Sequence, residues 1–251
     1  MSARCHLHTA PRLLSMVEAT WQSLLWPGLL TALFAAVLAL VTVRFVVPIL
    51  PEPPSDPDDP FVKPLYRDLA RPGVVLPALG AGFLAGLVAS LAGPLIIAAV
   101  ILAGVGAAMA SVDAATTYLP FPLHAGCVLA MLVGAALGIW WWAPNLWERM
   151  LLGALFGAIA AFALFWMIWV IGQGLGWGDV RLATVVGGFC GALGVEAWWH
   201  SMLAATVLGA IVGLVIAWWR RSHPSTLGTA FPYGPSLWAG PFLGLLIAQL
   251  A

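Results

Sequence analysis

Of the ten acidic residues in this 251-residue chain, two abut apolar runs at the ends read below as cytoplasmic: Asp113 follows LIIAAVILAGVGAAMASV, and Asp179 sits in GLGWGDVRL just ahead of another. A carboxylate at the edge of the hydrocarbon costs up to a few kcal/mol, less toward the interface, so a role is worth seeking for each. Two carboxyl groups sharing a partly desolvated site cannot readily both ionise, and one keeps its proton. Such a pair can hydrolyse a peptide: the ionised member takes a proton from water while the protonated one polarises the carbonyl. This chemistry needs no metal and no cofactor, and none is expected. Each aspartate also has a plainer reading. Asp179 can cap the start of the following helix, and Asp113 can snorkel to the interface, although the negative end of its own helix dipole opposes it there.

The elements that must position these acids are membrane helices. The composition is 62% apolar and only 8% charged, so water is not the main solvent of the surface. Eight runs are long enough to cross a bilayer: Leu24 to Val46, Val74 to Leu91, Leu95 to Val112, Leu123 to Trp141, Met150 to Ile171, Leu182 to Trp198, Met202 to Trp219 and Ser236 to Leu250. The expected fold is an all-α polytopic bundle of about eight transmembrane helices. Residues 1–23 form an amino-terminal tail and 24–46 the first membrane helix, too long and too lacking a cleavage site for a signal peptide. Residues 47–73 are a Pro/Asp-rich linker, and 74–251 the rest of the membrane domain.

Lys and Arg collect on the cytoplasmic side of membrane proteins. Arg44, Lys63, Arg67, Arg71, Arg181, Arg220 and Arg221 lie inside if the loops after helices one, three, five and seven are cytoplasmic, with Arg4, Arg12 and Arg149 outside. The end of helix three and the start of helix six then share that face, and the two carboxylates can meet. Glu52, Asp56, Asp58 and Asp59 of the linker read as a solvated run, or as attraction for a basic peptide.

The remaining features need no chemistry. Tryptophans at 140–142, 147, 198, 199, 218 and 219 fit headgroup anchoring. Glycine pairs four apart at 82/86, 134/138, 153/157, 187/191 and 209/213 thin one helix face each and predict close packing. Cys127 and Cys190 read as packing residues; Cys5, His6 and His8 could bind a metal but lie on the tail. His124 reads as a hydrogen-bonded packing histidine, His200 and His223 as interface residues. No basic run with interleaved aromatics supports nucleic-acid binding, and that class is dropped.

Gly174, Gly176 and Gly178 permit unusual dihedrals and the close approach of another chain, so an extended substrate could lie beside Asp179. A turn between helices would use glycine equally well. Read in order, GLGWGDVRL with Arg181 two positions after the aspartate, DAATTYLP from Asp113 to Pro120, and FPYGPSLWAG from Phe231 to Gly240 resemble the type IV prepilin peptidases, the GxGD membrane aspartyl proteases. The resemblance covers helices two to eight, with a six-helix core from helix three onward. It implies that Asp113 and Asp179 are the catalytic pair and that Gly176, Gly178, Pro232, Gly234 and Pro235 are candidates for holding substrate. It implies prepilin or pseudopilin substrates, cut at the cytoplasmic face of the inner membrane just after a glycine that precedes their apolar helix. Many members carry two CxxC pairs for zinc and a methyltransferase activity in the first loop. This linker has no cysteine, so cleavage without methylation is expected. Ala114, Ala115 and Phe121 stand where the family often has polar residues, which bears on substrate preference.

Two other classes use the same residues. A proton-coupled transporter would employ the aspartates as relay sites but needs a polar path through the bilayer, and the runs hold few charges. An inactive relative would bind pilin helices during assembly. The sequence leaves the oligomeric state open.

Overall fold

The computed structural model describes residues 10–52, 63–172, 175–222 and 231–250, the side chains of 10–24 excepted. Eight α-helices follow one another: α1 (Ala10–Val41), α2 (Pro72–Ala89), α3 (Ile96–Thr116), α4 (Phe121–Trp142), α5 (Trp147–Ile171), α6 (Trp177–Leu193), α7 (Val195–Arg220) and α8 (Gly234–Leu250). No strand occurs among the described residues, so the fold is that of an all-α membrane protein. Five described segments are long and apolar enough to span a bilayer, one of them being Pro72–Thr116. That segment is two helices, broken where Gly93 takes φ 55° ahead of Pro94. At 17 residues each, α6 and α8 reach about 26 Å at 1.5 Å per residue, short of the usual hydrocarbon span.

Small residues face inward and large ones outward. Most of α3 is buried, largely alanine and glycine, and it touches α1, α2, α4 and α8. Leu84, Leu129, Phe156 and Leu214 point away from the bundle. This suits a lipid surround, where burying bulky groups gains little and close backbone approach gains dispersion. The glycine pairs make that approach. A Cβ on Gly157 would stand 2.8 Å from the Cα of Gly191 across the α5–α6 seam, and one on Gly86 would stand 2.6 Å from the Cα of Ala32. Polar links also tie helices together: Thr31 Oγ1 donates to the Gly86 carbonyl at 2.7 Å, Trp238 Nε1 to that of Leu102 at 2.8 Å, and Trp198 Nε1 to that of Gly157 at 3.0 Å.

Three boundaries differ from the sequence expectation. The sixth run does not extend to Trp198: α6 stops at Leu193, Gly194 takes φ 130°, and Val195 to Trp198 already belong to α7. Apolar residues flank this break on both sides, so hydropathy cannot register it. Helix α1 begins at Ala10, well ahead of Leu24, and passes through Pro27. The second half of the linker folds onto the bundle, burying Tyr66 and Leu69. Its anchor is Glu52, whose carboxylate accepts the backbone N–H groups of Tyr66 (2.9 Å) and Arg67 (3.3 Å). Cys5, His6, His8, Asp56, Asp58, Asp59, Gly174 and His223 lie outside the described residues.

Candidate active site

Both aspartates are buried, at 5% exposure for Asp113 and 9% for Asp179, in a chain with few buried polar side chains. Asp113 stands in the last turn of α3. That helix ends because Thr117 adopts a left-handed conformation (φ 58°), its N–H closing on the Asp113 carbonyl at 2.7 Å. Thr116 fixes the turn that follows: its hydroxyl donates to the Val112 carbonyl (2.8 Å) and accepts the Tyr118 N–H (3.1 Å). Pro120 then leads directly into α4. The chain therefore reverses within DAATTYLP, leaving the Asp113 carboxyl inside.

Its partner comes from 121 residues away. Asp113 Oδ2 accepts the N–H of Gly234 at 3.0 Å, where α8 begins. The carboxyl group sits at the wrong end of its own helix dipole and at the favourable end of another. Snorkelling is thus replaced by a buried hydrogen bond. Glycine lets the two come this close, since a Cβ on Gly234 would lie 2.7 Å from Asp113 Oδ2 and push the carboxyl group away.

Asp179 occupies the third position of α6, and Gly176 is the N-cap. The carboxylate reaches back to accept the Gly176 N–H at 3.0 Å, while the Asp179 N–H donates to the Gly176 carbonyl at 3.0 Å. The capping role read from sequence is real, but it engages one carboxyl oxygen and leaves the other. Gly178 has a separate purpose: a Cβ there would stand 3.0 Å from the Cβ of Leu119. The close approach that glycine permits is made by this chain's own first-aspartate segment, which brings DAATTYLP against GLGWGDVRL.

Among the residues read as candidates for holding substrate, Gly176 and Gly234 spend their N–H groups on the aspartates. Pro232 is half-buried ahead of α8, and Pro235 sits in its first turn, where proline is tolerated. Two tyrosines stand near the pair: Tyr66, which sequence reasoning passed over, and Tyr233, which it grouped with Pro232, Gly234 and Pro235 as able to help hold substrate. Burial and the charge of Glu52 push the Tyr66 phenol up to about 12, with smaller contributions from Tyr118 and Asp113. Tyr233 is also raised, by burial first and by Asp179 in small part, against a hydrogen bond with Thr206. The signal of Tyr66 in the sequence is faint: it stands two residues after Pro64 in a polar break between runs. His124 is buried as expected, yet its Nδ1 has no hydrogen-bond partner. Phe121 is exposed and carries the Arg181 guanidinium 5.1 Å from its ring centre.

Residues 100–217, from within α3 to within α7, match the type IV leader peptidase family, and both aspartates stand inside that stretch. Just under half of the chain is thus similar to that family. Over 141 residues it is 34% identical to the prepilin leader peptidase/N-methyltransferase of Burkholderia pseudomallei, covering 53% of this chain and 40% of that protein. Proteins of the same description from Pseudomonas aeruginosa (28% over 105 residues, 39% and 33% of the two chains) and Dickeya chrysanthemi (25% over 162 residues, 62% and 52%) are also similar. The chain spans about two fifths of the Burkholderia protein's length. No solved structure matches. The matched stretch is shorter than the helix-two-to-eight range read from motifs, and Gly234, which holds Asp113, lies beyond it.

Proposed function

We propose that this chain is an intramembrane aspartyl endopeptidase that removes the basic leader from prepilin-like or pseudopilin substrates at the cytoplasmic face of the inner membrane. The observation that carries the reading is that two buried aspartates lie on segments from distant parts of the chain that meet at Leu119 and Gly178, within the stretch similar to the leader peptidase family. In each, Oδ2 accepts a backbone N–H, so Oδ1 is the atom left to hold the shared proton or to face a water. The ionised member removes a proton from water as its oxygen bonds to the scissile carbonyl carbon. The protonated member meanwhile donates to the carbonyl oxygen. Collapse of the tetrahedral adduct breaks the C–N bond, and the amine leaves with a proton from the pair. No covalent intermediate, metal or cofactor takes part.

Lys63, whose ammonium lies 4.0 Å from the Tyr118 ring centre, and Arg181 both stand at the aspartate end of the bundle, which supports a cytoplasmic site. Glu52 is already engaged with the chain's own backbone, so attraction of a basic leader falls to the other linker acids. The linker has no cysteine, and cleavage is proposed to proceed without methyl transfer.

The test is incubation of the purified chain, in lipid nanodiscs with S-adenosylmethionine, with prepilins from the same genome, the products read by mass spectrometry. The expected product is cut after the glycine before the apolar helix and is unmethylated. An uncut panel, alongside proton-coupled flux through proteoliposomes that is lost on mutating either aspartate, would replace the peptidase reading by the transporter one.

A further inference from the structure

We propose that the cleft between α4 and the α5–α6 pair is a binding site for one anionic phospholipid, its phosphate on Arg181 and its acyl chains along α4. Helix α4 packs mainly on α3 and meets α6 at few points. The gap is a cavity of about 930 Å³ walled by Met131, Leu132 and Ala135 of α4, Leu151 and Leu155 of α5, and Phe189 of α6. It continues into a second cavity of about 530 Å³ whose wall includes Phe121, His124 and Arg181. The two share Val128, Leu132, Thr184 and Val185, so they form one groove.

The groove is apolar along its length and polar at one end. Trp140 and Trp147 mark the far end, and Arg181, in the second turn of α6, marks the end near the aspartates. Arginine stays charged in any protein environment. This one is half-buried against Phe121, its Nε has no hydrogen-bond partner, and no carboxylate of the described residues pairs with it. His124 beside it is 6% exposed with Nδ1 also unpartnered. A guanidinium at the mouth of a hydrocarbon groove with no counter-ion from its own chain calls for an anion from outside. A phosphate suits the planar fork of arginine, and an attached acyl chain suits the rest. A zwitterionic lipid would bring its own ammonium to the same place.

The test presents the purified full chain, stripped of lipid in detergent, with equal amounts of dioleoylphosphatidylglycerol and dioleoylphosphatidylcholine, and counts retained lipids by native mass spectrometry. One phosphatidylglycerol per chain is expected, favoured about fivefold for a single arginine contact at a membrane surface. Arg181→Gln should bring the two lipids to parity, and Arg181→Lys should keep part of the preference. Ala135→Trp fills the apolar part and should lower retention of both lipids; Ala158 of α5 lines the same cavity, and Ala158→Leu does so more gently if the tryptophan variant loses helix content by circular dichroism. Equal retention of the two lipids by the unmodified chain, or undiminished preference in Arg181→Gln, would overturn the proposal. Displacement of phosphatidylglycerol by an equimolar apolar helical peptide would assign the groove to a helix and overturn it as well.

Discussion

Replacing Gly234 by alanine tests whether Asp113 is held where the chemistry needs it. The added Cβ would stand 2.7 Å from Asp113 Oδ2, 3.1 Å from Cγ and 3.3 Å from Cβ. All three lie inside ordinary van der Waals contact, so the carboxyl group must retreat by several tenths of an ångström. The backbone of Gly234 is outside the left-handed region, so the effect comes from the side chain alone. Retreat stretches the 3.0 Å bond from the Gly234 N–H, an interaction worth about 1.5–3 kcal/mol when the acceptor is ionised. If the pair loses that much alignment in the transition state, kcat/KM for leader cleavage falls about 10- to 100-fold. The assay is cleavage of a prepilin in nanodiscs, with helix content and thermal stability measured alongside. Gly126→Ala is the control: Gly126 is exposed on α4, and nothing lies within 4 Å of its added methyl. Gly234→Ala with the kcat/KM and thermal stability of that control would show that Asp113 does not depend on the start of α8, and would refute the reasoning.

Gly191→Ala places a methyl 2.9 Å from the Cα of Gly157; it should force α5 and α6 apart and destabilise the protein by about 1–3 kcal/mol, read as a lower thermal midpoint than Gly126→Ala. The chain has three tyrosines, and Tyr66, with its phenol pushed up to about 12, should be missing from the tyrosinate absorbance that develops near pH 10, while Tyr66→Phe removes only the late-titrating part. The raised phenol also sets the direction of a pH effect: unfolded Tyr66 ionises near pH 10 and the folded one near 12, so this contribution is intact below pH 10 and is lost as pH rises through that window. Glu52→Gln, which removes the carboxylate charge beside Tyr66, should shift that late titration to lower pH, whereas no change would detach Glu52 from the phenol.

Much of the fold was legible because membrane helices announce themselves by length. Every apolar run but the sixth, which crosses from α6 into α7, overlaps one α-helix, and the glycine pairs at 153/157 and 187/191 do face one another. What escaped were the events that hydropathy does not weigh. The break at Gly194 separates two equally apolar stretches, and Tyr66 and Leu69 fold back from a segment whose prolines suggested only a linker. Asp179 was readable because its capping partner is three residues away. The partner of Asp113 was not: a backbone N–H 121 residues distant carries no side-chain signature, and FPYGPSLWAG showed a helix start without showing whose carboxylate it serves. The glycines beside Asp179 were read as room for substrate, while in the structure Gly178 makes room for Leu119, the contact that joins the two aspartate segments.

The central claim is that both carboxyl groups act on one water. Its most direct measurement is single-turnover cleavage of a prepilin by Asp113→Asn and Asp179→Asn in nanodiscs, each variant first shown to be inserted and helical. The account predicts that either change alone lowers the rate by at least about 10²- to 10⁴-fold, and that the double variant is scarcely worse than either single one. Near-normal cleavage by one of the two would contradict it, because a group that can be neutralised without loss is no partner in the proton transfer.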